Sequence, residues 1–443
     1  MIIEFAITNF RSIKERQVFS MLPSERVKER KNPNYTVLNY KDLQLLTVAA
    51  IFGQNSGGKS NLIKAFKALE WLVLQSHRFT QGDKIHANEA FVFDINFESK
   101  PTIFEIDFIA NNQKRYLYQV EVTQNQVIRE ELYYYVRTET GKNTKRKLFI
   151  RKSGSDISYG DDFKGGRKSV EERTRPNVLF LSKSISENNT FLEPIFEFFK
   201  TGFQVSDFSA GYIDLQIRYF AKMSEANHPN ELQLLTTALK NIDTGILNLT
   251  TTKSENLPKN IRIKKDSDEQ LDEKQQVAYN ELIDLLKMET HTEHRLFDGG
   301  KAIGTRPLPL KEESEGTQKF IAVFSTLMQS IQTGSAFIVD EFDKSFHPLL
   351  TKVLVRMILN PKINVNGAQL IFSTHDVNVM DLLEHDQINL VQKDVTGATE
   401  VYVVSDIRGL RGDLATAKRY LRGELESIPN IDETSIYETL ENY

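Results

Sequence analysis

The chain changes its hydrophobic rhythm several times, and each rhythm predicts a different kind of element. Ile2 to Thr8 reads as a first strand, which breaks at Asn9-Phe10-Arg11-Ser12. The run Leu45-Leu46-Thr47-Val48-Ala49-Ala50-Ile51-Phe52 is apolar and partly β-branched, as a strand covered on both faces should be. After a polar, glycine-rich break, Asn61 to Leu74 carries Leu62, Ile63, Ala65, Phe66, Leu69, Leu72 and Val73 at helical spacing. Between Phe91 and Tyr135 the period falls to two. Thr102 to Ile109, Tyr116 to Thr123 and Glu131 to Val136 are separated by polar turns such as Asn111-Asn112, which predicts an antiparallel meander. Asn177 to Leu181 reads as another buried strand.

From about Thr190 to Leu310 the pattern turns helical. Phe191 to Phe199 and Glu231 to Ile242 have 3.6-residue spacing. Asp266 to Met288 is a charged helix candidate with Leu271, Tyr279, Leu282, Ile283, Leu285 and Leu286 on its apolar side. After Lys311 strands and helices alternate again: Phe320 to Ile331 is an apolar helix, and Ser335 to Val339 and Leu370 to Ser373 are buried strands. The fold class is therefore α/β, a mainly parallel sheet plus an antiparallel meander and an inserted helical region. The expected division is 1–190, 191–310 and 311–443.

Composition narrows the setting. At 443 residues the chain exceeds what one core usually supports. A net charge of -4 gives no overall field to draw it onto nucleic acid, so direct nucleic-acid binding needs a local patch. The basic, glycine-dotted stretch Gly141 to Pro176, with Lys145-Arg146-Lys147, Arg151-Lys152 and Arg167-Lys168, is one candidate, although a solvated hairpin explains it more simply. With no cysteine there are no disulfides or thiolate metal sites. No secretory leader and no apolar run of about 18 residues is visible, so the expectation is a cytoplasmic protein that does not enter a membrane.

The chemistry is concentrated at the break after the second strand. Gly53-Gln54-Asn55-Ser56-Gly57-Gly58-Lys59-Ser60 is a complete phosphate-binding loop, with Asn61 behind it. Strand, loop and helix N-terminus together aim backbone N–H groups and a helix dipole at one point. Lys59 would reach the β- and γ-phosphates of a nucleoside triphosphate, and Ser60 would ligate Mg²⁺. The apolar strand Ala336 to Val339 ends in Asp340-Glu341: Asp340 suits metal support and Glu341 suits polarisation of an attacking water. Both acids are expected beside the loop on a neighbouring strand. Ile371-Phe372-Ser373-Thr374-His375-Asp376 is a further strand end, where His375 can sense a γ-phosphate. Ser314 and Gly316 open the helix that contains Phe320, with Ser314 as its N-cap. His291-Thr292-Glu293-His294 offers metal-ligand types without a third or fourth ligand in a defined context.

The order of these parts resembles the ABC-type ATPase heads: phosphate loop, serine-glycine signature opening a helix, strand ending Asp-Glu, strand ending Ser-Thr-His. Asn9 to Ser12 resembles the RecF/SMC-like branch, and the chain is most similar to the AbiLi-type AAA/ABC ATPases of prokaryotic anti-phage systems, relatives of the OLD ATPases. The likeness extends to Tyr420-Leu421-Arg422-Gly423 and Ile428-Pro429. It implies ATP and Mg²⁺ as ligands, with Arg11 among the nucleotide contacts. It also implies a homodimer or larger homo-oligomer with ATP sandwiched between heads, where Ser314 and Gly316 of one subunit face the γ-phosphate on another. Glu315 stands where many heads carry a small residue, and His347 where many carry a dimer-contacting aspartate. The resemblance further implies a separate effector, such as a Toprim, HNH or RloB-like nuclease, since the 376–443 stretch is shorter than the ~100 residues a further catalytic domain usually needs.

Overall fold

In this computed structural model the described residues are 1–28, 30, 37–40, 43–137, 143–225, 229–242, 245–257, 273–408, 415–425, 427 and 433–441. In chain order the strands are β1 (Ile2–Thr8), β2 (Gln17–Ser20), β3 (Val37–Tyr40), β4 (Leu43–Leu46), β5 (Val48–Gly53), β6 (Thr102–Ile109), β7 (Arg115–Val122), β8 (Val127–Arg137), β9 (Asn143–Lys152), β10 (Ser158–Tyr159), β11 (Phe203–Ser206), β12 (Ile246–Lys253), β13 (Met288–Asp298), β14 (Lys301–Pro309), β15 (Ala336–Val339), β16 (Gln369–Ser373), β17 (Ile388–Lys393) and β18 (Thr399–Val403). The main helices are α1 (Lys59–Gln75), α2 (Phe180–Ser186), α3 (Ala210–Glu225), α4 (Pro229–Asn241), α5 (Glu273–Leu286), α6 (Glu315–Thr333) and α7 (Pro348–Leu359). No helix among the described residues is long and apolar enough to cross a membrane.

Two compact units divide the chain. One comprises Met1–Val205, Ser330–Asp343 and Thr351–Tyr443; the other comprises Ser206–Gln329 and Lys344–Leu350. The first unit contains two large sheets. One is antiparallel, in the order β10-β9-β8-β7-β6-β1-β2. The other runs β11-β15-β16-β5-β17-β18, with β15, β16, β5 and β17 parallel. A mixed α/β fold with one mainly parallel and one antiparallel sheet is the fold class the sequence predicts. Helix α1 packs on the antiparallel sheet. Its seven predicted apolar residues are all buried, and the Phe66 ring stacks on Phe5 of β1 with centroids 3.8 Å apart. Burial of so wide an apolar stripe fixes the rotation of the helix and hence the direction of its N-terminus. The second unit has a three-stranded antiparallel sheet, β12-β13-β14, with α3, α4 and α5.

Several elements differ from the sequence expectation. The apolar run 45–52 is two strands broken at Thr47, because β4 pairs antiparallel with β3 while β5 joins the parallel sheet. Asn177 to Leu181 is not a strand: helix α2 starts at Phe180. Glu130, fully buried on β8, accepts the amides of Phe180 (2.6 Å) and Leu181 (2.9 Å), supplying an N-terminal cap from fifty residues away. The region expected to be helical, 191–310, holds α3, α4 and α5 but also the β12–β14 sheet. Leu271 and Ile428-Pro429 lie outside the described residues, as does the start of the predicted 266–288 helix; its described part is α5.

The basic stretch after Gly141 is ordered as β9 and β10, continuous with the antiparallel sheet. Lys145, Arg146, Lys147 and Arg151 have partners within the chain. Lys145 sits 4.4 Å from the Tyr133 ring centre, Arg146 pairs with Asp162 at 3.5 Å, and Lys147 donates to the Ser158 hydroxyl at 2.7 Å. Arg151 donates to the carbonyls of Val178 and Arg175. His291 and His294 lie three apart on β13 and so point to opposite faces, which prevents them from sharing a metal.

Glu130 is also held by the Tyr118 hydroxyl (2.9 Å) and by Arg151 at 3.6 Å. Burial pushes its carboxyl up from the usual range, and Arg151 opposes that shift. Glu130→Ala strands Arg151 and the two helix amides, so it should cost about 3–5 kcal/mol, read as a lower urea midpoint. Tyr118→Phe removes one hydrogen bond and should cost only about 1 kcal/mol.

Candidate functional site

The loop 53–60 leaves the carboxyl end of β5, at the middle of the parallel sheet. Ligand crevices of open α/β sheets form at such carboxyl ends. Three positions in the loop have positive φ, Gly53 (152°), Ser56 (62°) and Gly58 (115°), and helix α1 begins at Lys59. A backbone that alternates hand in this way turns successive N–H groups inward into an anion-binding nest.

The loop is clamped from outside. The Thr399 hydroxyl, at the start of β18, donates to the Gly57 carbonyl (3.0 Å) and lies 2.7 Å from the Ser12 hydroxyl. Asn61 donates to the same Ser12 hydroxyl at 2.7 Å. The packing leaves no room at Gly58, where a Cβ would stand 2.2 Å from Thr399 Oγ1. Close approach to Thr399 and a positive φ both demand glycine there, quite apart from any phosphate.

Lys59 is buried, and its ammonium donates to the carbonyls of Gly53 (2.8 Å) and Gln54 (3.1 Å). Burial lowers its pKa, while Asp340, Asp343 and Glu341 oppose the shift. The acids come from β15, which the sequence places next to the loop strand. In the structure β16 lies between β15 and β5, which corrects that adjacency. The intervening strand supplies Ser373. Its hydroxyl donates to Asp340 Oδ1 (2.5 Å) and accepts the Glu341 amide (2.8 Å), and its carbonyl accepts the Phe342 amide (3.0 Å). Glu341 itself is left-handed at φ 49°, an uncommon state for a non-glycine residue that the surrounding bonds must hold.

His375 follows β16. Its amide reaches both carboxylate oxygens of Asp343 at 3.3 Å. Desolvation first, and then Lys59, lower the imidazole pKa below its usual 6.5, against the acids Asp343, Glu341 and Asp340. One face of the unit thus brings together Lys59, Asp340, Glu341, Asp343 and His375. Sequence reasoning gave no site role to Asp343, Ser373, Ser12 or Thr399; Asp343 lies two residues beyond Glu341, Ser373 and Ser12 fall inside motifs already singled out, and Thr399 had no local signal.

These groups suit a triphosphate with Mg²⁺: an inward nest, a buried ammonium, and acids opposite. Ser60 lies in the first turn of α1, and Asp340 at the end of β15. Among the described residues no cluster of three or more His, Cys, Asp or Glu is arranged to hold a metal. Arg11 (φ 53°) ion-pairs with Glu89 at 2.7 Å, and its Nε is buried with no partner.

Ser314 and Gly316 belong to the second unit. Ser314 caps α6 as predicted, accepting the Thr317 amide at 3.1 Å. At Gly316 a Cβ would meet the Ser345 carbonyl at 2.8 Å, so the glycine lets α6 pack against 344–350, the segment that carries His347. Lys319 continues that contact, donating to the Lys344 carbonyl at 2.5 Å.

A family profile described as "AAA domain, putative AbiEii toxin, Type IV TA system" matches residues 48–381, about three quarters of the chain. No curated protein matches. Solved structures similar to the chain include an SMC head domain from Thermotoga maritima, 13% identical over 91% of this chain and 98% of that one, TM-score 0.38. An SmcHead bound to the C-winged helix domain of ScpA is 12% identical over 95% and 99%, TM-score 0.46. The recombination mediator RecF with ATP is 14% identical over 90% and 97%, TM-score 0.35.

Ser373→Ala should leave nucleotide affinity within about threefold but lower kcat by about 10–100-fold, since both strand-end acids lose their anchor. A steady-state assay beside a binding titration separates the two effects. Because the His375 pKa is lowered, the ring is neutral at pH 7, and a step that needs it neutral should fade only below about pH 6.5. The acid limb of the pH–rate profile should be absent in His375→Asn.

Proposed function

We propose a function on the premise that the chain belongs to the family described as AAA domain, putative AbiEii toxin, Type IV TA system. The protein is an ATPase, and ATP-driven association of its heads governs a separate effector, such as a nuclease, in anti-phage abortive infection. The observation that carries the ATPase part is the convergence of Lys59, Asp340, Glu341, Asp343 and His375 at one end of the parallel sheet. The defence role is supported by the toxin–antitoxin description of the family and by the sequence likeness to AbiLi-type ATPases.

In this proposal the residues divide the work. Loop amides and Lys59 neutralise the β- and γ-phosphates. Mg²⁺ held by Ser60 and Asp340 would offset charge on the phosphate oxygens. Glu341, fixed by Ser373, takes a proton from the attacking water, and His375 donates to the γ-phosphate. Ser314 and Gly316 meet the nucleotide of a second subunit, so association depends on the γ-phosphate and reverses after hydrolysis. Direct DNA binding draws little support, because Lys145, Arg146, Lys147 and Arg151 are engaged within the chain.

Lys59→Ala should abolish ATP binding in a calorimetric titration. Glu341→Gln should bind ATP, stall hydrolysis and accumulate an ATP-dependent assembly in light scattering. Ser314→Arg should bind ATP with unchanged affinity and fail to assemble. A Ser314→Arg protein that still assembles and hydrolyses would sink the composite site, and wild-type turnover by Glu341→Gln would remove that residue from catalysis.

A further inference from the structure

The peptide plane between Gly57 and Gly58 is flanked by glycine on both sides, so no Cβ favours either of its two orientations. Turning it over changes only ψ of Gly57 and φ of Gly58. What fixes it comes from outside the loop: the Gly57 carbonyl accepts the Thr399 hydroxyl at 3.0 Å. The peptide is trans, so the Gly58 N–H points opposite to that carbonyl. Thr399 lies behind the loop, and the Gly58 N–H is thereby aimed into the nest.

The other polar groups of the two glycines are engaged. The Gly57 N–H donates to the Gln54 carbonyl (3.1 Å), and the Gly58 carbonyl accepts the amides of Asn61 (3.0 Å) and Leu62 (3.1 Å). Only the Gly58 N–H donates to no group among the described residues. The hydroxyls behind the loop form a chain with one direction. Thr399 has a single hydroxyl proton and uses it on Gly57, so the Ser12 hydroxyl, 2.7 Å away, donates to Thr399. Ser12 in turn accepts from the Asn61 carboxamide at 2.7 Å. The Thr399 amide donates to the Ser12 carbonyl at 2.6 Å, which ties the two stretches of backbone together. Thr399 and Ser12 are both buried, and aligned bonds in such surroundings reinforce one another.

We propose that Thr399 is a positioning residue for the phosphate loop. Its hydroxyl, oriented by Ser12 and Asn61, holds the 57–58 peptide in the orientation that presents the Gly58 N–H to a polyphosphate. This rests on the nucleotide-binding proposal above. Released from Thr399, the peptide is free to turn over, and the Gly57 carbonyl then faces the ligand's negative charge where an N–H stood. The loss falls on the polyphosphate itself, so ATP and tripolyphosphate weaken alike. Thr399 stands 342 residues from Gly57 in the chain, which is why no local motif contains it.

Two measurements on the full chain test this. Deuterated protein labelled only at glycine, with carbonyl ¹³C and amide ¹⁵N, gives carbonyl-filtered amide signals for glycines that follow a glycine: Gly58, Gly166 and Gly300. Tripolyphosphate should move the Gly58 signal downfield in wild type. In Thr399→Ala and Thr399→Val that signal should be displaced before any ligand is added and should no longer move downfield. Calorimetry should show Mg·ATP and Mg·tripolyphosphate both weakened by about tenfold or more, as for a lost hydrogen bond to a charged group. Thr399→Ser keeps the hydroxyl and should keep the Gly58 signal and both affinities within about threefold of wild type. A hydroxyl that only satisfied a buried carbonyl would lower the urea midpoint and leave the Gly58 signal and both affinities unchanged, and that result overturns the proposal. So does a loss in Thr399→Ser equal to that in Thr399→Ala, since methyl packing on Gly58 would then be the cause. The Gly58 signal reads the peptide without a ligand, which keeps the two levels apart. Wild type that binds neither ligand sinks the nucleotide-binding proposal, whereas a Thr399→Ala signal superposed on that of wild type sinks this one.

Discussion

A buried ammonium sets the terms for the first unit. Lys59 lies at the base of the loop with almost no contact with water, and a desolvated cation is costly unless oxygen atoms surround it. Two loop carbonyls supply part of that shell, and the acids at the ends of β15 and beyond supply the opposing charge. This works only if β15, β16 and β5 run parallel and end together, so that residues from distant parts of the sequence meet at one edge. The register is tight: Val339 pairs with Phe372, and Ser373 with Ile51. A slip of one residue would turn Ser373 to the other face and remove the anchor of Asp340 and Glu341.

The loop is shaped as much by its surroundings as by its own glycines. Ser12, Asn61 and Thr399, from three separate stretches of chain, meet at one hydroxyl pair behind it. Fixing the loop before a ligand arrives lowers the ordering cost of binding. The same contact joins the loop to β18.

In the second unit helix α6 and the segment 344–350 form one packed element. Gly316 admits the Ser345 carbonyl, and Lys319 holds the Lys344 carbonyl. The chain runs directly from Asp343 in one unit to Lys344 in the other.

Periodicity and local motif determined much of this on their own. The buried stripe of α1, β1, the meander strands, the phosphate loop, the acid strand end and the Ser314 cap are each set by residues within a few positions of one another, and local physics decides them. What tertiary structure decided involves partners far apart in sequence. The run 45–52 is apolar throughout, so only its two partner sheets could break it at Thr47. Asn177 to Leu181 looks like a strand until Glu130 caps Phe180. The β12–β14 sheet hid in a stretch whose helical spacing was read at Phe191 to Phe199 and at Glu231 to Ile242, the latter largely α4. Which strand lies beside β5 is a matter of topology, and no pattern within β15 or β16 encodes it. Ser373 and Thr399 are ordinary polar residues in the sequence. They become part of the site because hydrogen bonding depends on position to within tenths of an ångström, and only the folded chain fixes that position.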